Sequence, residues 1–172
     1  MVIAKENPIG IDAVIDSIQK QLEKKLSWSN MLAIYPKCYT VFRDNLRTIE
    51  HYTSKGEYIN MITAEGNKCF FLVSENLEKV DFINYSTEIQ LFFTLDLVEI
   101  KGGYDRRDSE VHKDVLDALD GIPDGEISRV VTGIERVYDD YTVKITDDLQ
   151  PYHCFKLIVD IYSFDPNGTN CA

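Results

Sequence analysis

Between Ile11 and Leu26 the apolar residues Ile11, Val14, Ile15, Ile18, Leu22 and Leu26 recur at the spacing that lines one face of an α-helix. Asp12 and Asp16 lie near the start and Lys24 and Lys25 near the end, complementing the helix dipole. The stretch predicts an amphipathic helix of about four turns. Ser27 to Lys37 breaks the period, and Pro36 keeps helix from running on. Cys38–Asp44 then predicts a strand, followed by a polar connection containing Thr53–Tyr58. From Glu57 to Glu75, two β-rich runs flank Glu65-Gly66-Asn67-Lys68, which has the residues of a tight turn, so a β-hairpin is expected. Asn76–Ser86 reads as a loop.

The longest alternation runs from Glu88 to Ile100, thirteen residues that would span about 43 Å if fully extended. Strands in globular domains usually have about five or six residues. Ile89, Leu91, Phe93, Leu95 and Leu97 mark one face, while Glu88, Gln90, Thr94, Asp96 and Glu99 mostly mark the other. That second face also carries Phe92 and Val98, and the alternation slips near Val98. Lys101–Glu110 is a glycine-containing loop in which Asp108 or Ser109 is placed to cap a helix over Glu110–Gly121. Val111, Val115, Ala118 and Leu119 form its apolar stripe, and Gly121 with Pro123 ends it. Two more strands follow, Ile127–Ile145, bent or interrupted at Gly133, and Tyr152–Phe164. This order predicts an α+β fold, a mostly antiparallel sheet of long strands with both helices on one face.

With 172 residues, 44% of them hydrophobic, the chain suits one domain with its own core. That core is expected over residues 11–164, with 165–172 a C-terminal tail. No run of about 18 apolar residues suggests a membrane span, and the N-terminus lacks a signal peptide's apolar stretch. The chain is therefore expected to be made as a soluble cytoplasmic protein. Cys38, Cys69 and Cys154 sit in apolar or alternating runs and read as reduced core or strand residues. The net charge is −11, and residues 105–148 hold thirteen acids against six bases. That balance argues against a protein that grips nucleic acid, which needs clustered Lys and Arg. It is compatible with a surface past which DNA slides without being held.

Candidate chemistry is sparse. His51, His112 and His153 have no cysteine or carboxylate at metal-ligand spacing. There is no G-x-S-x-G elbow, no P-loop and no dinucleotide fingerprint. Asp139-Asp140 and Asp147-Asp148 read as solvated turns, because sequence neighbours point in different directions. No catalytic residue, metal or cofactor is assigned. Arg106 and Arg107 form a locally basic spot that could dock a carboxylate or phosphate through bidentate hydrogen bonds, unless the flanking Asp105 and Asp108 neutralise it. The apolar residues Phe92 and Val98 on an otherwise polar strand face suggest contact with another subunit. Phe92, Val98, Arg106 and Arg107 are thus the candidate subunit-interface residues.

The order of elements resembles that of the tail terminator, or tail-completion, proteins of tailed bacteriophages. The features shared are the N-terminal helix "IDAVIDSIQKQLEKKL", the long strand "EIQLFFTLDLVEI", the helix "SEVHKDVLDALDG" and the closing strand "YHCFKLIVDIYSF". The resemblance covers roughly Ile11 to Phe164, rests on a pattern of elements, and carries over no individual functional residue. It implies a virion protein that forms homo-oligomeric rings, hexamers or dodecamers, at the phage neck or tail. Its neighbours would be portal, connector or tail proteins, and DNA would pass non-specifically through the lumen. The hairpin at Tyr58–Glu75 and the acidic loops depart from the pattern, so the ring could be a terminator or another connector. The alternatives are a small cytoplasmic α+β enzyme and an adaptor that binds partners by strand addition.

Overall fold

A computed structural model describes residues 1–43, 45–53, 56–103, 105–141 and 151–168. Helix α1 (Ile11–Lys25) forms where the apolar spacing places it, with Val14, Ile15, Ile18 and Leu22 buried. Nine strands follow among the described residues: β1 (Ala33–Lys37), β2 (Tyr39–Arg43), β3 (Leu46–Tyr52), β4 (Tyr58–Asn60), β5 (Lys68–Val73), β6 (Glu78–Lys79), β7 (Tyr85–Asp96), β8 (Gly125–Thr132) and β9 (Tyr152–Phe164). Three further helices, α2 (Leu97–Lys101), α3 (Asp108–Ala118) and α4 (Ile134–Val137), complete an α+β fold.

The main sheet runs β1-β5-β7-β9-β8, with the short β6 also paired to β7, and all of its pairings except β1 with β5 are antiparallel. On one face, Cys69, Phe71, Ile89, Leu91, Phe93, Phe155, Leu157 and Val159 pack against the apolar stripes of α1 and α3. Both helices therefore share a face, as the sequence predicts. They are tied by Trp28 Nε1, which donates to Asp114 of α3 at 2.8 Å, and by Gln21, which donates to the Asp120 carbonyl at 2.8 Å.

The opposite face is also closed. A second sheet, β2-β3-β4, and helix α4 cover it, and Phe70, Phe92 and Cys154 of the main sheet meet Ile49, Met61, Ile134, Val137 and Tyr138 there. Phe70 stacks on Phe92 at 5.0 Å, and Phe93 stacks on Phe155 at 4.6 Å on the helical side. Consecutive residues of a strand point to opposite faces, so β7 is buried on both sides.

Several expectations are corrected. The long strand spans Tyr85–Asp96 and stops short of Ile100. Asp96 accepts hydrogen bonds from the Val98 and Glu99 amides at 2.9 and 3.1 Å, capping α2. The slip in alternation at Val98 is this change from strand to helix. The hairpin expected over Glu57–Glu75 does not form: β4 pairs with β3 and β5 with β1 and β7. Between them Met61 is drawn into the second core, and Asn60 accepts from the Ile62 amide, turning the chain from one sheet to the other. β1 and β3 occupy segments read as irregular and as polar connection. Pro36 is tolerated because β1 is an edge strand with a register irregularity between Ile34 and Lys37. Helix α3 begins at Asp108 with Arg107 at its cap position, so neither Asp108 nor Ser109 caps it. After Gly133 (φ 87°) the chain enters α4 rather than more strand, and the end of that expected strand, 142–145, lies outside the described residues.

Replacing Phe93 with alanine is expected to cost about 3 to 5 kcal/mol in a urea titration. Phe92→Ala should cost a comparable amount, and Phe92→Glu should unfold the chain, because a carboxylate there would be buried without a partner. A Phe92→Ala midpoint equal to that of the parent would refute burial on both faces.

Candidate interaction surfaces

Phe92, expected at a subunit contact, is 1% exposed and packed between Phe70 and Tyr138. It is a core residue of the single chain, because the second sheet and α4 cover the face on which it lies. Val98 sits half-buried in the first turn of α2. Arg106 donates to Asp108 at 2.5 Å, while Arg107 lies 3.7 Å from Glu110 and donates to the Lys101 carbonyl at 3.3 Å. The two arginines thus brace the start of α3 through the nearby carboxylates of Asp108 and Glu110. Phe92 lies in the interior and so shares no surface with the other three.

The fold does bring together two histidines that sequence spacing kept apart. His112 of α3 and His153 of β9 place their Nε2 atoms 2.9 Å apart, with ring centroids at 5.1 Å. The nitrogens therefore lie close to the line joining the rings, each directed at the other. At this separation the pair shares one hydrogen atom, one ring donating and the other accepting. Among the described residues no group of three or more His, Cys, Asp or Glu is arranged to hold a metal ion. Burial and the neighbouring His153 hold the His112 pKa below its ordinary value, partly opposed by Asp108. Burial also lowers that of His51.

Other polar groups serve the fold. Asp139 and Asp140 diverge, the first 3.5 Å from Lys156 and the second 2.8 Å from Arg47; Asp147 and Asp148 lie outside the described residues. Lys156 is buried, with its ammonium 5.3 Å from the centre of the Phe92 ring. Cys38, Cys69 and Cys154 are reduced and buried, and burial pushes the Cys38 thiol up to about 12. Burial likewise raises the Cys69 thiol pKa, so both resist ionisation. No helix among the described residues is long and apolar enough to cross a membrane.

Two surfaces stand out against this closed interior. The first is a protrusion in the segment read as a loop, where β6 and the start of β7 form a short hairpin. Asp81 accepts from the Ile83 and Asn84 amides, both at 2.9 Å, and from the Asn84 side chain, which fixes the tip as an Asx-type turn. These bonds, led by that from the Asn84 side chain, lower the Asp81 pKa. The tip presents Phe82, 97% exposed, together with Ile83 and Val80, and Leu77 is exposed at the hairpin's base. The sequence signal for it is the cluster of large apolar residues in a stretch that keeps neither helical nor strand period.

The second surface is the outer face of β2-β3-β4. Alternation turns Ile49 and His51 inward, so Tyr39, Arg43, Leu46, Glu50, Tyr52 and Tyr58 share the outer face. Arg43 grips Glu50 with two nitrogens, at 2.5 and 2.8 Å, and its guanidinium lies 5.4 Å from the centre of the Tyr58 ring. Tyr52 and Tyr58 are in contact at 5.2 Å. Each tyrosine is about half exposed. A cavity of about 610 Å³ is lined by Tyr39 and Tyr52 together with Tyr35, Lys37 and the inward His51.

The depressed His112 and His51 pKa values carry a definite sign. A native histidine that resists protonation makes the folded chain bind fewer protons than the unfolded one. That stabilisation is complete above the ordinary value of 6.5 and is lost as pH falls toward the lowered native value. Urea midpoints should therefore drop on acidification below 6.5, and His112→Gln should remove part of the slope. Identical slopes in parent and variant would contradict the role given to the pair. Comparison of the chain with protein families, with curated proteins and with solved structures gives no match.

Proposed function

We propose that this chain is a structural virion protein, a subunit of a homo-oligomeric ring at the head–tail junction or tail end of a tailed bacteriophage. One observation carries the reading: the main sheet is closed by a core on each face, yet an ordered hairpin holds Phe82 and three apolar neighbours in solvent. Such a patch is costly for a lone chain and is suited to a contact with another.

The order of helix, long central strand, second helix and long closing strand supports the same assignment by its resemblance to tail terminators. Function of this kind is geometric: subunits dock and enclose a channel, and no bond is made or broken. The charge of −11 suits a lumen that lets DNA phosphates pass without binding them. Portal, connector or tail proteins are the proposed neighbours.

Strand addition is less favoured than docking of side chains. Pro36 lies in one edge strand of the main sheet, and a register irregularity between Ile127 and Arg129 interrupts the other, and both devices discourage pairing with a further strand.

Light scattering after size-exclusion chromatography, with negative-stain imaging, is expected to find ring-sized oligomers of the purified chain or of its mixtures with portal or tail-tube proteins. A chain that stays monomeric under all these conditions would sink the reading.

A further inference from the structure

We infer that the cavity enclosed by the N-terminal segment, β1 and the second sheet is a binding site for a small aromatic carboxylate. This site goes beyond the ring reading and does not depend on it.

The cavity lies at the end of the second sheet where β2 starts and β3 finishes. Tyr39 and Tyr52 of the outer face and His51 of the inner face can therefore line one space, to which β1 adds Tyr35 and Lys37. Its walls are held in place by the chain itself. The Ile3 amide donates to the Ile34 carbonyl at 2.9 Å and the Ile3 carbonyl accepts from Gln19 at 3.3 Å, so the N-terminal wall is fastened to β1 and α1. A volume of about 610 Å³ falls among those of pockets that take small molecules, and a preformed pocket loses little ordering entropy on binding.

Three features of the lining select the ligand. Tyr35 meets the His51 ring edge-on at 5.3 Å, and with Tyr39, Tyr52 and Ile59 it offers the aromatic and aliphatic surface on which a planar ring packs. His51 is 8% exposed, yet its Nδ1 is buried without a hydrogen-bond partner among the described residues. Buried polar groups are paired as a rule, so the histidine that lines the cavity carries hydrogen-bonding capacity that the chain itself leaves unused. Burial keeps this ring neutral and the Tyr35 hydroxyl protonated, so charge must come from elsewhere in the lining. Lys5 and Asp12 neutralise one another. Lys37 is half-buried over the Tyr39 ring, 5.4 Å from its centre, with no ion-pair partner among the described residues. Glu6 is exposed at the rim, where solvent screens it more effectively. The uncompensated charge nearest the rings is therefore the cation of Lys37, which a carboxylate on a planar ligand would meet.

The test titrates the full chain with benzoate, naphthoate and phenylpyruvate and follows amide chemical shifts. At least one should bind saturably, with its largest shifts at Tyr35, His51 and Ile59. The neutral amide of that ligand should bind about tenfold more weakly, and Lys37→Met should weaken the carboxylate by about the same factor. Glu6→Gln should act in the opposite direction, because it removes a negative charge from the rim. His51→Phe keeps a ring but loses both nitrogens, and should also cost about tenfold. Circular dichroism and urea midpoints check the folding of each variant; if His51→Phe does not fold, the opposed shifts of the Lys37 and Glu6 variants decide. Failure of all three carboxylates to bind saturably overturns the inference, as does an unchanged affinity in folded Lys37→Met. Tighter binding of a naphthyl trimethylammonium than of naphthoate would reveal a cage for cations and would overturn it too. None of these readouts involves the oligomeric state on which the ring reading stands or falls.

Discussion

Phe92 and Phe93 follow one another on β7 and so must point to opposite faces of the sheet, yet both are buried. A strand with no solvent face requires a layer on each side. On the Phe93 side the layer is α1 and α3, whose apolar stripes arise from simple helical spacing. On the Phe92 side it is the second sheet and α4, which must be carried there by the turn through Met61 and by the break at Gly133. The stacked pairs Phe70–Phe92 and Phe93–Phe155 are the centres of these two cores.

Packing on the two faces buries polar groups, and several are answered locally. Lys156, directly opposite Phe92 in the β7–β9 register, lies over that ring and toward Asp139. Gln19 of α1 donates to the Ile3 and Ile34 carbonyls at 3.3 and 3.2 Å, tying the N-terminal segment to the edge strand. His112 and His153 satisfy one another between α3 and β9. These groups are accounted for by packing.

The same closure gives meaning to what stays outside. Once apolar residues on both faces of the main sheet are consumed by the two cores, exposed Phe82 and its neighbours cannot be read as a fragment of either. The Asx turn at Asp81 holds them in a defined position, unlike side chains on an unstructured loop. Exposed apolar surface of this kind is suited to a contact with another chain.

Local regularity made part of this legible beforehand. The helical stripes of α1 and α3, the alternation of β7 and β9, the interruption at Gly133 and the buried reduced cysteines all follow from nearest-neighbour spacing and turn chemistry, and with them the α+β class. Pairing did not. β4 and β5 carry the alternation of a hairpin and a suitable turn, but each finds its partners elsewhere because hydrogen bonds between strands do not depend on sequence proximity. The face of Phe92 was likewise undetermined by its strand: alternation says that it opposes Phe93, and only the arrival of β2-β3-β4 decides whether that face meets water, another subunit or a core. The meeting of His112 and His153, 41 residues apart, and the exposure of Phe82 belong to the same class. The sequence by itself determined which residues could share a face; the tertiary structure decided what covered each face, because burial is a property of the whole packed chain.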